Sequence, residues 1–147
     1  MKPSSFALVL ALFLTQTAFS TATDIKAEFR KGKTFVTWQE DSDKTKSYKV
    51  YASNSQITDV STLVPIASVA CSSSYDSRYS HFHVITDFGT PLPIGTGLFV
   101  NTPKSNGNRY YAVTTVTGGV EDKTILPGTN STQNPVAEEY WKWPAAV

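Results

Sequence analysis

The sequence is poor in cysteine, with Cys71 as the single one among 147 residues. One cysteine cannot form an intramolecular disulfide, so the fold must be stabilised by packing and hydrogen bonds. We interpret Cys71 as a half-buried thiol at the end of a strand. An intermolecular disulfide and a nucleophile are the alternatives, and a nucleophile requires a positioned histidine that the sequence does not tie to it.

The sequence also lacks an excess of either charge, with 13 Lys and Arg against 12 Asp and Glu. No run of like charge is longer than two residues. A chain this close to neutral has no electrostatic basis for binding nucleic acid or an anionic membrane. We therefore expect neither as a partner.

Long apolar runs are missing as well. The longest, Phe6–Leu14, has nine residues, whereas roughly 20 are needed to span a bilayer. Lys2 precedes this run, and small residues at Ser20 and Ala22 follow it, which is the pattern of a secretory signal peptide. We assign 1–22 as signal peptide, with a cut after Ser20 as the alternative, and predict a secreted, extracellular or periplasmic protein without a membrane span.

What the sequence does have is alternation of polar and apolar residues, with almost no helical periodicity. In "DIKAEFR", for example, Ile25, Ala27 and Phe29 share one face, as in a strand with one wet side. Turn signals recur about every 8–15 residues, which is typical of an all-β sandwich or barrel. Strands are predicted at 24–30, 34–40, 47–53, 64–70, 81–88, 98–102, within 106–122, and at 122–126.

The same alternation predicts the core. The inward positions of facing strands are expected to meet in one interior. The predicted core residues are Val36, Trp38, Tyr48, Val50, Tyr111 and Val113.

Three stretches resemble the fibronectin type III family: "FVTWQE", "SYKVYAS" and "NRYYAVTTVTGGVED", in the family's order. The resemblance implies a two-sheet antiparallel β-sandwich, fibronectin type III or immunoglobulin-like, over 23–126. It also implies a spacer, adhesive or accessory role, which in bacterial secreted hydrolases accompanies a catalytic domain. The segment 54–107 is longer than usual in the family. Arg109 stands where the family's corner tyrosine is expected, with Tyr110 or Tyr111 as substitutes.

The C-terminal part, 127–147, reads as a linker and tail because "PGTNSTQNP" is rich in Pro, Gly and Asn. The aromatic residues Tyr140, Trp141 and Trp143 follow it. Either this tail folds back onto the domain or it begins a second domain. The sequon at Asn130 would mark glycosylation in a eukaryote.

Two histidines are the strongest candidates for metal ligands. His81 and His83 lie two residues apart and would share one face of a strand, with Asp76 or Asp87 able to add an oxygen. No third ligand stands at a fixed spacing, so we favour a solvated surface.

Catalytic motifs are not found. There is no G-x-S-x-G elbow, and "GTPLPIGTG" lacks the lysine of a phosphate-binding loop. We predict no catalytic residues and no cofactor.

Outward aromatic residues are the remaining candidates for a binding surface. The pattern places Phe35, Tyr51, Tyr75 and Tyr79 outward, where aromatic faces could stack on sugar rings. Our leading hypothesis is a non-catalytic accessory or interaction module of an exported protein, N-terminal to a secreted hydrolase domain. The expected partners are that linked domain and a glycan or cell-surface molecule. The alternatives are a carbohydrate-binding module and, less favoured, a metal-binding protein.

Overall fold

The computed structural model describes residues 21–142, and this part of the chain forms β-strands without any helix. The predicted all-β class is therefore confirmed. Most of the predicted signal peptide and Trp143 lie outside the described residues. The strands are β1 (Thr23–Arg30), β2 (Lys33–Gln39), β3 (Ser47–Ser53), β4 (Ala67–Ala70), β5 (Tyr75–Asp76), β6 (His81–Phe82), β7 (Thr96–Asn101), β8 (Gly107–Thr117), β9 (Val120–Asp122) and β10 (Val136–Glu138).

The strands pair antiparallel in two main sheets and one small hairpin. One sheet has the order β1-β2-β7, and the other has the order β10-β8-β3-β4 with β9 also paired to β8. The hairpin is β5-β6. No helix between residues 21 and 142 has the length and apolarity that a membrane crossing requires.

A single cluster of buried side chains draws on both sheets. Val36 and Trp38 enter it from β2, Tyr48 and Val50 from β3, and Tyr111 and Val113 from β8. Each of these six predicted core residues is at most 1% exposed.

Trp38 belongs to this cluster and lies opposite β7. Its cross-strand partner is Gly97, where an added Cβ would sit 2.1 Å from Trp38 Cε2. On its other side the indole meets the Tyr48 ring at a centroid distance of 5.5 Å. Gly97 has no positive φ, so glycine is required there by the space that the indole takes and not by backbone conformation.

The predicted linker is wrong over 127–138, because this segment completes a sheet. Asn130 accepts a hydrogen bond from the Val113 amide at 2.8 Å through its carbonyl, and the Thr132 amide donates to the Tyr111 carbonyl at 2.9 Å. β10 then pairs with the start of β8. A strand whose backbone is buried needs partners on both edges, and the polar segment supplies them for β8.

Asn130 holds the turn that leads into this segment. It is 0% exposed, its Nδ2 donates to the Thr124 carbonyl at 2.9 Å, and its Oδ1 accepts from the Leu126 amide at 2.8 Å. The sequon asparagine is thus a buried structural residue, and the folded protein has no room for a glycan on it.

Three predicted strands differ from the observed ones by more than two residues at one end. The strand expected at 64–70 is β4 at 67–70, and the last strand is β9 at 120–122 rather than 122–126. The strand expected at 81–88 is reduced to the two residues of β6, and Val84 is exposed instead of inward. Beyond β6 the His83 carbonyl accepts a hydrogen bond from the Leu92 amide at 2.9 Å, so this stretch closes a loop instead of extending the ladder.

Gly97→Ala tests the packing of Trp38. We expect a loss of about 1–3 kcal/mol in the free energy of unfolding, because the new methyl group has no space beside the indole. Denaturant unfolding at several urea concentrations measures it. In a Trp38→Leu background the same substitution should cost much less, since the obstructing ring is gone. Equal costs in both backgrounds would contradict the proposed contact.

Candidate functional site: a tyrosine- and serine-rich excursion

Residues 71–95 connect β4 to β7, and we call this segment the excursion. It carries several exposed apolar side chains. Tyr79 is 70% exposed and Phe88 is fully exposed. Tyr75 and Ile94 are exposed too. Several large apolar groups exposed within one segment make that segment a candidate interaction surface.

Serine residues anchor the base of the excursion to β7. The Ser74 hydroxyl donates to the Thr96 carbonyl at 2.5 Å, and the Ser73 hydroxyl accepts from the Leu98 amide at 2.8 Å. The His83 amide donates to the Ser74 carbonyl at 2.8 Å, which brings the return limb of the hairpin to the same base. Ser74 is fully buried, so the base is a fixed part of the domain.

Glu40 provides a second anchor, at the end of β4. Its buried carboxylate accepts the Ser72 amide at 2.8 and 3.0 Å and the Cys71 thiol at 3.1 Å. Burial, and then the hydrogen bond to Glu40, raise the pKa of the Cys71 thiol. The interpretation of Cys71 as a half-buried thiol at a strand end is confirmed. A raised pKa disfavours the thiolate, which is the nucleophilic form.

Above this base, β5 and β6 present their aromatic rings side by side. Tyr75 and Phe82 are cross-strand partners with centroids 5.0 Å apart, and Tyr79 lies 5.9 Å from the His81 ring. The Arg78 guanidinium lies 5.8 Å from the centre of the Tyr79 ring. The same guanidinium pairs with Asp76 and holds the pKa of that carboxyl below its usual range.

The two histidines belong to this hairpin, but no metal centre is assembled around them. Their ring centroids are 6.4 Å apart, and both side chains are exposed. Of the two proposed oxygen ligands, Asp76 is paired with Arg78 and Asp87 with Lys31. Within residues 21–142, no group of three His, Cys, Asp or Glu side chains is placed to hold a metal ion.

Phe35 lies beside the far limb of the excursion. It is half-buried on β2 and lines a shallow pocket of about 260 Å³ together with Val84 and Ile85. Val84 and Ile85 of this limb thus adjoin β2, and an exposed ion pair joins Asp87 to Lys31. Phe35 therefore supports the excursion, and it is not part of the exposed aromatic row of the hairpin.

The expectation that Tyr51 faces outward is corrected by the structure. Tyr51 is 2% exposed and packs with Ile57, Val60 and Ala112 in a second buried cluster. The loop after β3 covers this face, so β3 is buried on both sides. The signal for this was available in the sequence as the apolar residues Ile57, Val60 and Leu63 within an otherwise polar loop.

Below Tyr51, a buried carboxylate links β3 to β8 and β9. Glu121 accepts hydrogen bonds from Lys49 Nζ at 2.7 Å, from the Tyr51 hydroxyl at 2.5 Å and from Thr114 Oγ1 at 2.6 Å. Burial alone would raise the pKa of Glu121, but the bonds from Lys49, Thr114 and Tyr51 together outweigh it and lower the pKa.

Trp141, whose place the sequence left open, lies against this domain. Its Cβ is near the β1–β2 turn, 3.3 Å from where a Cβ of Gly32 would stand. Its side chain remains 66% exposed and forms one wall of a groove of about 410 Å³ with Lys31, Lys33 and Thr102. The tail therefore folds back at least as far as this residue.

Comparison with protein-family models, with curated proteins and with solved structures finds no match to this chain.

The lowered pKa of Glu121 predicts that the folded protein loses stability in acid. Since its folded-state pKa lies below the ordinary value of 4.5, its contribution is complete above that pH and is lost as the pH falls through the lowered value. We expect Glu121→Gln to cost about 1–3 kcal/mol at pH 7 and to flatten the decline below pH 4.5.

Chemical unfolding of wild type and variant from pH 7 to pH 2.5 measures this. Glu28→Gln is the matched control, because Glu28 is an exposed carboxylate on β1. A Glu121→Gln curve parallel to that of the wild type at every pH would count against the assignment.

Proposed function

We propose that this chain is a non-catalytic interaction module of an exported protein, built as a fibronectin type III-like sandwich and using the excursion as its contact surface. The observation that carries the proposal is that the exposed aromatic rings of the excursion stand on a base fixed by buried hydrogen bonds.

The strand order supports the sandwich. Immunoglobulin-type sandwiches place their first, second and fifth strands in one sheet and their third, sixth and seventh in the other. Setting the β5–β6 hairpin aside as an insertion, β1, β2 and β7 correspond to the first group, and β3, β8 and β9 correspond to the second. The excursion accounts for the length of segment 54–107, which exceeds what the family resemblance implies.

The corner tyrosine also has a counterpart. Tyr111 is fully buried, and its hydroxyl donates to Glu138 and accepts from Asn101 Nδ2 at 2.8 Å. Asn101 ends β7, so this tyrosine ties β8 to the strand before it, as a corner tyrosine does with a backbone partner. Arg109, at the expected position, pairs with Glu138 instead.

Composition supports binding by the excursion. Tyrosine and serine are enriched in the binding loops of antibodies, because tyrosine offers a large, rigid contact area and serine offers adaptable hydrogen bonds. Here Ser73 and Ser74 serve as anchors, while Tyr75 and Tyr79 remain exposed. A contact surface that is already ordered loses little conformational entropy when a partner binds.

The partner we favour is a catalytic domain of a secreted hydrolase, joined to this module in one polypeptide. The family resemblance motivates this choice, and exposed apolar groups on an ordered loop fit a second folded domain. Sequencing the DNA downstream of codon 147 is the first test. A reading frame that continues into a second domain is expected, and an immediate stop codon would exclude a covalently linked partner.

The contact itself is tested by hydroxyl-radical footprinting of the long chain and of the module alone. We expect Tyr79 and Phe88 to be oxidised less in the long chain, because the second domain shields them. Val64, exposed outside both the excursion and the C-terminal tail, is the internal control. Equal oxidation of Tyr79 in both proteins would remove the excursion as the contact surface.

Glycan binding is the second candidate function, favoured by the Tyr79 ring. This ring is exposed, and it adjoins the His81 ring and the Arg78 guanidinium, groups that can bond sugar hydroxyls. In affinity electrophoresis against soluble polysaccharides, Tyr79→Ala should abolish retardation, whereas Tyr140→Ala should preserve it. If the wild type is retarded by no polysaccharide, this candidate is eliminated.

A further inference from the structure

Two overlapping small-residue motifs lie at the end of the predicted signal peptide, which is called the leader below. Signal peptidases require small residues at the last position of the leader and two positions before it. Ala18 and Ser20 satisfy this rule for a cut after Ser20, and Ser20 and Ala22 satisfy it for a cut after Ala22. The sequence alone favoured the cut after Ala22. The contacts of Thr21 and Ala22 in the structure now bear on the choice between the two cuts.

Ala22 is part of the folded domain. It is 0% exposed and belongs to the buried cluster that contains Trp38 and Val113. Its amide donates to Thr115 Oγ1 at 3.1 Å, and Thr115 is itself buried on β8. This hydrogen bond joins residues 93 positions apart in the chain.

Thr21 marks the boundary. Its hydroxyl accepts a hydrogen bond from Asn130 Nδ2 at 3.2 Å, while the residue as a whole is only half-buried. A chain that begins here keeps every contact of Ala22. Its new terminal ammonium group can also stay in water, which avoids the cost of burying a charge.

A chain that begins at Thr23 would be less stable. It would lose the Ala22 methyl group from the core and the amide donor to Thr115, leaving a buried hydroxyl without that partner. It would also leave Asn130 Nδ2 without its bond to Thr21.

We propose that the leader is 1–20 and that a signal peptidase hydrolyses the Ser20–Thr21 peptide bond. Water adds across that bond, so Ser20 gains a carboxylate and Thr21 gains an ammonium group. The inference rests on the export component of the proposed function, and it replaces the cut after Ala22.

The test is expression of the full chain in a bacterial host that exports proteins, followed by intact-mass measurement and N-terminal sequencing of the exported product. A chain that begins at Thr21 is the expected result. A chain that begins at Thr23 or at any other residue overturns the inference. Uncleaved protein retained inside the cell overturns the inference and the proposed export together.

Variants of Ala18 sharpen the result. Ala18→Leu places a large residue two positions before Ser20, so cleavage at Thr21 should fall at least tenfold. Ala18→Gly, the matched control, keeps a small residue there and should be processed like the wild type. Processing of Ala18→Leu at the wild-type rate would show that a different bond is cut.

A readout independent of export compares two chains made without a leader, one beginning at Thr21 and one at Thr23. Both begin with threonine, so the initiator methionine is removed from each in the same way. The shorter chain should unfold at a lower temperature. Equal midpoints would overturn the packing argument even if export succeeds.

Discussion

Both edges of β8 are hydrogen-bonded, and the rest of the structure depends on this constraint. β3 pairs along one edge, while β9, the segment around Asn130 and β10 cover the other in succession. The strand is also covered on both faces, with Tyr111 and Val113 in one buried cluster and Ala112 in the other. Water cannot reach the backbone of a strand enclosed in this way. Each neighbouring segment must therefore supply hydrogen-bond partners, which determines where that segment lies.

Buried carboxylates connect distant parts of the chain that no disulfide joins. Glu40 accepts hydrogen bonds from the base of the excursion, and Glu121 accepts them from side chains of β3 and β8. Glu138 accepts them from Thr34 and Tyr111. A buried charge adds little net stability. It does require hydrogen-bond donors at defined positions, because an alternative packing would leave the charge without them. We therefore expect these three groups, among the described residues, to favour this pairing of segments, while the apolar cluster around Trp38 provides the main driving force for folding.

Alternation in the sequence was sufficient where one face of a strand is wet. It placed Val36 and Trp38 in the interior, because Thr37 and Gln39 alternate with them along β2. It failed for Tyr51, because a loop covers the second face of β3, and such cover does not change the period-two pattern. It failed again for 127–138, where short polar side chains and backbone groups pair with β8, and composition typical of a linker conceals a ladder.

The candidate site was predictable in part of its residues but not in its assembly, since the exposed Phe88 and Ile94 stand in a stretch whose pattern predicts strand and turn. Tyr75, Tyr79, His81 and His83 were all identified from residue type, yet only the fold brings them together in one hairpin on serine anchors.

The position of the excursion explains how the protein can carry such a hairpin. It connects β4 to β7, and each of these is an edge strand of its own sheet. An insertion between two edges leaves the central strands paired, and the entropy of closing a longer loop rises only slowly with its length. Residues at the tip of the excursion can therefore change with little effect on the core, which is the arrangement that lets a rigid scaffold present a binding surface.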